Sequence, residues 1–239
     1  MIDPFFKYFS SGRNIPSRLF YGAADAPPKS YNRFLQITLP APLSLPVSLE
    51  KVLHDRFSPQ RFISRPLSAE HLGTILGRAV GNIHDSFLQS GERRRPHPSG
   101  GAKYPIEVYP FIVAQRGDIV PGLYHYNPAS HALELLPADA PERVSMYFAH
   151  HTDIAESAGA LFILSFLKSR SMHKYGSFSY KLGLIEGGHI GQNIYLIATA
   201  LGLGCRALGG GDVEKLNDAL RLDGVNETVF YTLAVGEFE

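Results

Sequence analysis

The feature that most limits the fold is a long apolar segment in the carboxyl-terminal part of the chain, IEGGHIGQNIYLIATALGLG, at residues 185–204. Its apolar side chains would cover nearly the whole circumference of a helix, and such a helix is expected at the centre of a domain or of a dimer. Its longest apolar run, IYLIATALGLG, is well short of the roughly 18 residues that indicate a membrane span. The chain therefore requires a fold whose other elements, or a second subunit, enclose this helix.

Helical and extended patterns follow one another irregularly along the chain. Apolar residues at helical spacing predict a helix after the N-cap Ser68, a second helix over residues 141–159, and a short one after the N-cap Asp212. Strands are predicted in PIEVYPFIVAQRG, GLYHYN, ALELLP, ALFILSFLK and TVFYTLAVG. Because the order lacks a regular β-α-β rhythm, the predicted fold class is α+β rather than doubly wound.

Prolines set the first 50 residues apart from the rest. They stand at positions 4, 16, 27, 28, 40, 42 and 46. Since proline removes a backbone N–H and restricts the residue before it, no long helix fits there. We predict an extended arm with short elements over residues 1–50, lying on this subunit or a neighbouring one, and a single domain over residues 51–239.

The composition is that of an ordinary globular protein, with 44% hydrophobic and 19% charged residues. The net charge of +1 provides no overall field for a nucleic-acid partner. The single cysteine, Cys205, excludes an internal disulfide and a multi-cysteine zinc site. The amino end, MIDPFFKYFSSGRN, lacks the apolar stretch of a secretory signal. Together these observations predict a soluble protein of the cytoplasm, without a membrane span.

Two patterns that suggest ligand chemistry have simpler explanations. GLGCRA, residues 202–207, has the glycine spacing of a dinucleotide-binding fingerprint, but that motif must follow a strand and open a helix. Here it closes a helix and leads towards a strand, so Gly202 and Gly204 are better explained as helix-ending glycines. His150 and His151 are adjacent, and adjacent side chains on a helix diverge by about 100°, so they cannot chelate from one face. No metal site is predicted.

Three separated clusters remain as candidates for a binding site. They are DRFSPQRF at residues 55–62, RRRPHPSGGAKYPIEVY at 93–109 and HKYGSFSYK at 173–181. In the second, arginines lie beside a turn whose glycines let a ligand approach the backbone closely and present N–H groups to it. Taken singly, each cluster is equally well explained as a solvated loop.

Taken in order, the clusters resemble the flavin-dependent nitroreductase superfamily, and within it the SagB-type azoline dehydrogenases. RPHPSGGAKYPIEVY is similar to that branch's R-P-x-P-S-G-G-x-x-Y-P-x-E-V-[YF] signature. KYGSFSYKLGLIEGGHIGQN is similar to its K-Y-x-x-R-x-Y-R-x-x-x-x-E-x-G-x-x-x-Q-N pattern, apart from Phe178 in the place of Arg. The resemblance extends from about residue 52 to the end of the chain.

The resemblance implies a nitroreductase-like homodimer with FMN at the subunit interface. Enzymes of this branch work with a YcaO-type cyclodehydratase and a substrate-binding subunit, and they oxidise thiazolines and oxazolines of a precursor peptide to thiazoles and oxazoles. By position, the implied catalytic pair is Lys174 and Tyr175. The implied FMN-binding residues are Arg56, Ser58, Gln60, Ser99, Gly100, Gly101, Gly209 and Gly210.

Three departures from the family pattern keep alternatives open. Phe178, Gln60 and Glu237 occupy places where relatives tend to have cations, and Arg61 or Arg206 could substitute for them. Which of the three arginines at positions 93–95 faces the site is undetermined by the sequence. One alternative is a nitroreductase-like oxidoreductase supplied with electrons by NAD(P)H. Another is a flavin-poor scaffold subunit of the synthetase complex.

Overall fold

A seven-stranded sheet forms the centre of the computed structural model, which describes residues 29–83, 94–137, 144–209 and 211–239. Within these residues the strands are β1 (Gln36–Thr38), β2 (Ile106–Ile112), β3 (Gly122–Asn127), β4 (Ala132–Leu135), β5 (Ala160–Leu167), β6 (Gly204–Leu208) and β7 (Glu227–Gly236). Their order across the sheet is β1-β4-β3-β2-β5-β7-β6, and each neighbouring pair is antiparallel. The α+β fold with an antiparallel-rich sheet, predicted from the sequence, is confirmed.

Helices accompany the sheet on both faces. Within the described residues they are α1 (Leu49–Asp55), α2 (Ala69–Val80), α3 (Thr152–Ser157), α4 (Ser169–Tyr175), α5 (Phe178–Ala200) and α6 (Val213–Ala219). The predicted N-caps Ser68 and Asp212 each accept a hydrogen bond at 3.1 Å, from the backbone N–H groups of His71 and Lys215. Helix α1 has a similar cap at Ser48, and the proline-rich sequence around it did not reveal this helix.

The central strands β2 and β5 are buried on both faces because two apolar layers enclose them. Along β5, Phe162 and Leu164 pack into a cluster with residues of α2 and α5, whereas Leu161 and Ile163 pack into a cluster with residues of α3 and α6. All four side chains are at most 1% exposed. This alternation explains why β5 reads as a continuous apolar run, as expected of a strand covered on both sides.

Helix α5 is the predicted central helix, and glycines let it lie directly on the sheet. A Cβ atom added to Gly183 would lie 2.7 Å from the Phe166 ring, and one added to Gly187 would lie 2.5 Å from the Phe230 ring. Any larger side chain would therefore push the helix away from the strands. Among the described residues, no helix is both long enough and apolar enough to span a membrane.

The structure differs from the prediction for residues 141–159. In the described part of that segment, a 3-10 turn at Val144–Tyr147 ends before Phe148, and α3 starts only at Thr152. The backbone carbonyl of Tyr147 accepts the N–H of Asp212 at 2.8 Å instead of continuing a helix, and the Phe148 side chain is fully buried. Tertiary contacts thus override the helical periodicity.

The segment at residues 173–181 is helical rather than a solvated loop. It spans the end of α4 and the start of α5, separated by a turn in which Gly176 has φ 53°. The central helix therefore begins at Phe178, upstream of the apolar segment from which it was predicted. The division into an arm of residues 1–50 and a domain of residues 51–239 stays a prediction.

Candidate functional site

The Pro-Ser-Gly-Gly segment forms a tight turn with an unusual backbone. Gly101 has φ 61°, and Ala102 and Tyr104 also have positive φ values, 54° and 48°. The turn is closed by a hydrogen bond from the Ala102 N–H to the Ser99 carbonyl at 3.1 Å. The Ser99 hydroxyl also accepts the N–H of Tyr104 at 2.9 Å. Residues other than glycine rarely adopt positive φ values, so surrounding contacts must hold the turn in place.

Lys174 and Tyr175 meet this turn at its glycines. A Cβ atom added to Gly101 would lie 2.6 Å from both the Lys174 Nζ atom and the Tyr175 hydroxyl oxygen. One added to Gly100 would lie 3.7 Å from the Tyr175 ring. The Lys174 amine is also 5.3 Å from the centroid of the Tyr175 ring. The structure thus brings together the predicted catalytic pair and the predicted flavin-lining glycines, which are far apart in the sequence.

A chain of alternating charges lies buried behind the turn. Arg170 forms an ion pair with Glu107, whose other carboxylate oxygen is 3.0 Å from His125 Nε2. The Nδ1 atom of His125 is 2.8 Å from the Glu134 carboxylate. All four residues are at most 4% exposed.

In this network of four charged residues, pairing shifts the pKa values more than burial does. Burial by itself would raise the pKa of Glu107, but the hydrogen bond and charge of His125 and the charge of Arg170 lower it to about 2. Burial would likewise raise the pKa of Glu134, which hydrogen bonds from His125 and Asn127 lower to about 2. Burial would lower the pKa of His125, yet the two carboxylates raise it. The network therefore favours the protonated imidazolium form of His125 between the two carboxylates.

The predicted phosphate-binding residues lie near the other end of α5. Arg56 caps α1, and its guanidinium is 5.7 Å from the centroid of the Tyr195 ring. The Ser58 hydroxyl is 3.1 Å from the Tyr195 hydroxyl, which also accepts the N–H of Ala207 at 2.8 Å. Sequence analysis missed Tyr195, although a hydroxyl-bearing ring in an otherwise apolar stretch is a usable signal, since a buried Tyr hydroxyl usually has a partner.

The other predicted cofactor residues are more dispersed. Gln60 lines a cavity of about 540 Å³ together with Arg61 and residues 149–154. A Cβ atom added to Gly209 would contact nothing within 4 Å, which leaves open space beside that backbone. Gly210 lies outside the described residues, as does Arg93. Of the neighbouring arginines, Arg95 is buried.

Two arginines near residues 55–62 bear on the departures from the family pattern: Arg206 supplies a cation, and Arg65 neutralises Glu237. Arg206 donates a hydrogen bond to the Pro59 carbonyl at 3.1 Å, so its charge lies against residues 56–60. Glu237 is paired with Arg65 at 2.8 Å and accepts the N–H of Ile63 through its backbone carbonyl. The acidic departure at Glu237 is thus neutralised locally, and Arg206 is the better placed of the two proposed substitutes.

The two clusters are well separated within one chain. Leu182 contacts Gly100 at one end of α5, and Tyr195 contacts the Arg56 cluster near the other end. The 1.5 Å rise per residue of a helix puts these points about 20 Å apart. A single chain therefore does not place its own Arg56 beside its own glycine turn.

The described residues offer little support for metal chemistry or for a reactive thiol. Within the described parts of the chain, no three His, Cys, Asp or Glu residues are grouped so as to hold a metal ion. Cys205 is buried, and burial raises the pKa of its thiol well above the usual value.

Comparisons with known proteins identify relatives of this chain. MJ1384 of Methanocaldococcus jannaschii, provisionally named a nitroreductase, is 29% identical over 177 residues, covering 74% of this chain and 85% of that protein. The microcin B17-processing protein McbC of Escherichia coli is 31% identical over 139 residues, covering 56% of this chain and 50% of McbC.

A solved structure shares the fold. A chain in the E. coli microcin synthetase McbBCD complex with truncated pro-MccB17 bound has a TM-score of 0.67 and 19% identity, covering 100% of this chain and 95% of that one. The model of the Nitroreductase family matches residues 53–237, which include both site clusters and all strands except β1. The chain therefore belongs to the nitroreductase family.

Proposed function

We propose that the protein is an FMN-dependent azoline dehydrogenase, which oxidises thiazolines and oxazolines of a ribosomally made precursor peptide to thiazoles and oxazoles. The observation that carries the proposal is the meeting of the Lys174 amine and the Tyr175 hydroxyl with Gly101. Family membership supports an oxidoreductase, and the similarity to McbC, a microcin-processing protein, supports a peptide substrate.

The residues present fit FMN. Gly100 and Gly101 offer a backbone surface without side chains, and Ser99 begins the turn. Arg56 and Arg206 supply cations for a phosphate, and the Ser58 hydroxyl supplies a further polar group. Gln60 and the backbone near Gly209 and Gly210 are proposed to contact the remaining edges. When bound, FMN supplies the hydride acceptor.

The protein's own residues would handle the proton. Aromatising an azoline removes a hydride and a proton from neighbouring carbons. We assign the proton to the Lys174 amine, held at the glycine turn, and assign Tyr175 to orienting the ring through its hydroxyl. Both residues are only partly exposed.

The separation of the two clusters supports a homodimer in which each flavin site takes one cluster from each subunit. The short ribityl chain of FMN cannot bridge about 20 Å from the glycine turn to Arg56 of the same chain. Helix α5 also leaves one face exposed, on which Leu184 and Ile185 are 51% and 47% exposed. The exposed residues recur at helical spacing: Lys181, Leu184, Ile185, Gly188, His189 and Gln192.

The dimer can be tested through this face. Leu184→Glu combined with Ile185→Glu is expected to yield monomers that bind little FMN, because each site would lose one of its two clusters. Sedimentation velocity and flavin absorbance would measure both effects. A variant that stays dimeric, or a monomer with full flavin content, would contradict the shared site.

We further propose a YcaO-type cyclodehydratase and a substrate-binding subunit as partners. The support is the fold shared with a chain of the McbBCD complex, which was solved with a truncated pro-peptide bound. Co-purification of the three chains, with and without the precursor peptide, tests this assignment.

Lys174→Ala tests the proposed chemistry directly. The variant is expected to bind FMN normally, because Lys174 is assigned to the proton rather than to holding FMN, and to lose azole formation. The loss of two hydrogens per ring, followed by mass spectrometry of the peptide, is the readout. Unchanged turnover in the variant would remove Lys174 from the mechanism, and colourless wild-type protein that refuses FMN would favour a scaffold.

A nitroreductase-like oxidoreductase is the second candidate, favoured by the match to MJ1384 over 85% of that protein's length. The two candidates differ in their source of electrons. Rapid anaerobic bleaching of the bound flavin by NADPH would favour the nitroreductase, whereas bleaching by an azoline peptide alone would favour the dehydrogenase.

A further inference from the structure

We infer that Arg170 is a positioning residue that fixes the Lys174 amine against the glycine turn. This inference rests on the proposed function of that site. Arg170 and Lys174 lie one helical turn apart on α4, so their side chains leave the same side of the helix. Arg170 is only 4% exposed, although its guanidinium is permanently charged.

The Arg170 guanidinium contacts two different elements at once. One terminal nitrogen donates a hydrogen bond to the backbone carbonyl of Tyr104 at 2.9 Å. The other forms the ion pair with Glu107 on β2. Arg170 thereby connects α4, which carries the candidate base, to both the turn and the sheet.

The carbonyl that Arg170 holds belongs to Tyr104, which has a positive φ and is hydrogen-bonded to the turn. Tyr104 has φ 48°, and its N–H donates to the Ser99 hydroxyl. Its hydroxyl accepts the Arg95 N–H at 3.2 Å, and the Arg95 guanidinium is 4.9 Å from the centroid of its ring. Tyr104 is thus held at its amide, its carbonyl and its side chain, and the carbonyl contact leads to α4.

The buried charges behind Arg170 fix its orientation in turn. Glu107 pairs with Arg170 through one oxygen and with His125 through the other, and His125 also pairs with Glu134. Glu107 is the glutamate of the Y-P-x-E-V stretch, a conspicuous part of the sequence that binds nothing in the proposed reaction. Supporting Arg170 gives it a physical role.

A lysine at position 170 cannot reproduce this geometry. An ammonium group is a compact point charge, whereas the planar guanidinium presents several donors in a fixed fork. A lysine would keep the ion pair with Glu107 and give up the hydrogen bond to the Tyr104 carbonyl. Because a misplacement of about 1 Å can cost about a hundredfold in rate, Arg170→Lys should act on turnover while retaining the buried charge.

The experiment compares Arg170→Lys with wild-type holoprotein in three measurements. With azoline peptide, kcat should fall at least about tenfold, while the Kd for FMN stays within about twofold because neither Arg170 nor Lys174 is assigned to holding FMN. The rate of Lys174 acetylation by acetic anhydride, followed by mass spectrometry, should change several-fold, with Lys215, whose side chain is 58% exposed, as the reference amine. Added guanidinium should partly restore kcat in the smaller variant Arg170→Ala.

Arg78→Lys is the matched control. Arg78 also donates to a backbone carbonyl, that of Leu43 at 2.9 Å, and Leu43 lies outside the turn. It should leave kcat and Lys174 acetylation unchanged. Unchanged kcat and unchanged Lys174 labelling in Arg170→Lys would overturn the inference. So would losses of FMN affinity and melting temperature as large as the loss of kcat, since these indicate a general structural role.

Failure of the proposed azoline oxidation would give different results from failure of the positioning role of Arg170. If wild-type protein did not oxidise azolines, the labelling of Lys174 would still report its position. A selective change at Lys174 in Arg170→Lys would then support the positioning role without the proposed reaction, and equal labelling in both proteins would refute it.

Discussion

The two ends of α5 hold charged groups in opposite ways. At the glycine-turn end, Arg170, Glu107 and His125 are nearly inaccessible, and Arg170 and His125 both pair with Glu107. At the other end, Arg56 and Arg206 are partly exposed, and the contacts shown for them are to a ring face and a backbone carbonyl. Buried pairs fix a geometry, whereas partly exposed cations supply charge with less positional precision.

The difference matches the demands of the proposed site. Proton transfer from a substrate depends on the position of one amine to within about an ångström. Binding a phosphate depends mainly on nearby positive charge and donors, which several side-chain arrangements can supply. Changes at the turn end should therefore reduce turnover, and changes at the phosphate end should reduce flavin affinity.

Gly101→Ala should produce the largest effect and affect the turn end alone. The new methyl group would overlap Lys174 and Tyr175 at 2.6 Å, so azole formation should fall by about a hundredfold or more. Gly117→Ala is a matched control, because Gly117 also has φ 61° but its added Cβ meets nothing within 4 Å. Both variants should lose about 1 kcal/mol of unfolding free energy from the backbone strain. Equal turnover in the two variants would contradict the steric explanation.

Arg56→Ala should have the next largest effect, on flavin affinity. Loss of a charged hydrogen bond, worth about 1.5–3 kcal/mol, corresponds to an increase of about 10- to 150-fold in the Kd for FMN. Flavin fluorescence titration measures it, and kcat at saturating FMN should stay close to the wild-type value. Arg65→Ala is the comparison, because Arg65 is already paired with Glu237. A larger loss of affinity in Arg65→Ala would show that the phosphate site had been misplaced.

Tyr195→Phe should weaken flavin binding more mildly. The substitution removes the hydroxyl that joins Ser58 to the backbone N–H of Ala207, a loss of about 1 kcal/mol or about fivefold in Kd. Tyr231→Phe is the control, since the Tyr231 hydroxyl makes no hydrogen bond within the described residues. The two titrations should differ, with the effect confined to Tyr195. Identical affinities would mean that Tyr195 packs beside the cluster without organising it.

The sequence predicted elements best where local signals and tertiary packing agree. The caps at Ser68 and Asp212 and the apolar run of β5 are local signals, and each specifies the element observed. Helix α3 was predicted too long because the Tyr147 carbonyl is used by a residue far away in the sequence. Periodicity contains no information about such a contact.

The site residues likewise divide into those that were predicted from the sequence and those that were not. Lys174, Tyr175 and the glycine turn were predicted through the resemblance of their motifs to the family pattern, and the fold brings them together. Tyr195 and Arg170 were missed because their importance depends on partners that only the folded chain supplies: Ser58 and Ala207 for one, Tyr104 and Glu107 for the other. For Tyr195, a hydroxyl inside an apolar stretch was the available signal.

The pH dependence of the unfolding free energy should show the smallest of these effects, and it should distinguish the two ends of α5. Glu107 and Glu134 have pKa values of about 2 instead of the usual 4.5, so their stabilising contribution is complete above pH 4.5 and is lost as the pH falls towards 2. His125 has a raised pKa, so its contribution is complete below about pH 6.5 and is lost as the pH rises through the raised value.

Urea unfolding between pH 2 and pH 9 should therefore show stability declining on both sides, with an alkaline slope from His125 of at most about 1.4 kcal/mol per pH unit. His125→Gln should remove that alkaline slope, whereas the exposed His54→Gln should leave it unchanged. Because this network supports the turn end, alkaline pH should also loosen Lys174 while leaving the contact between Arg56 and Tyr195 intact. An alkaline slope that persists in His125→Gln would place its source in another group and weaken the contrast between the two ends.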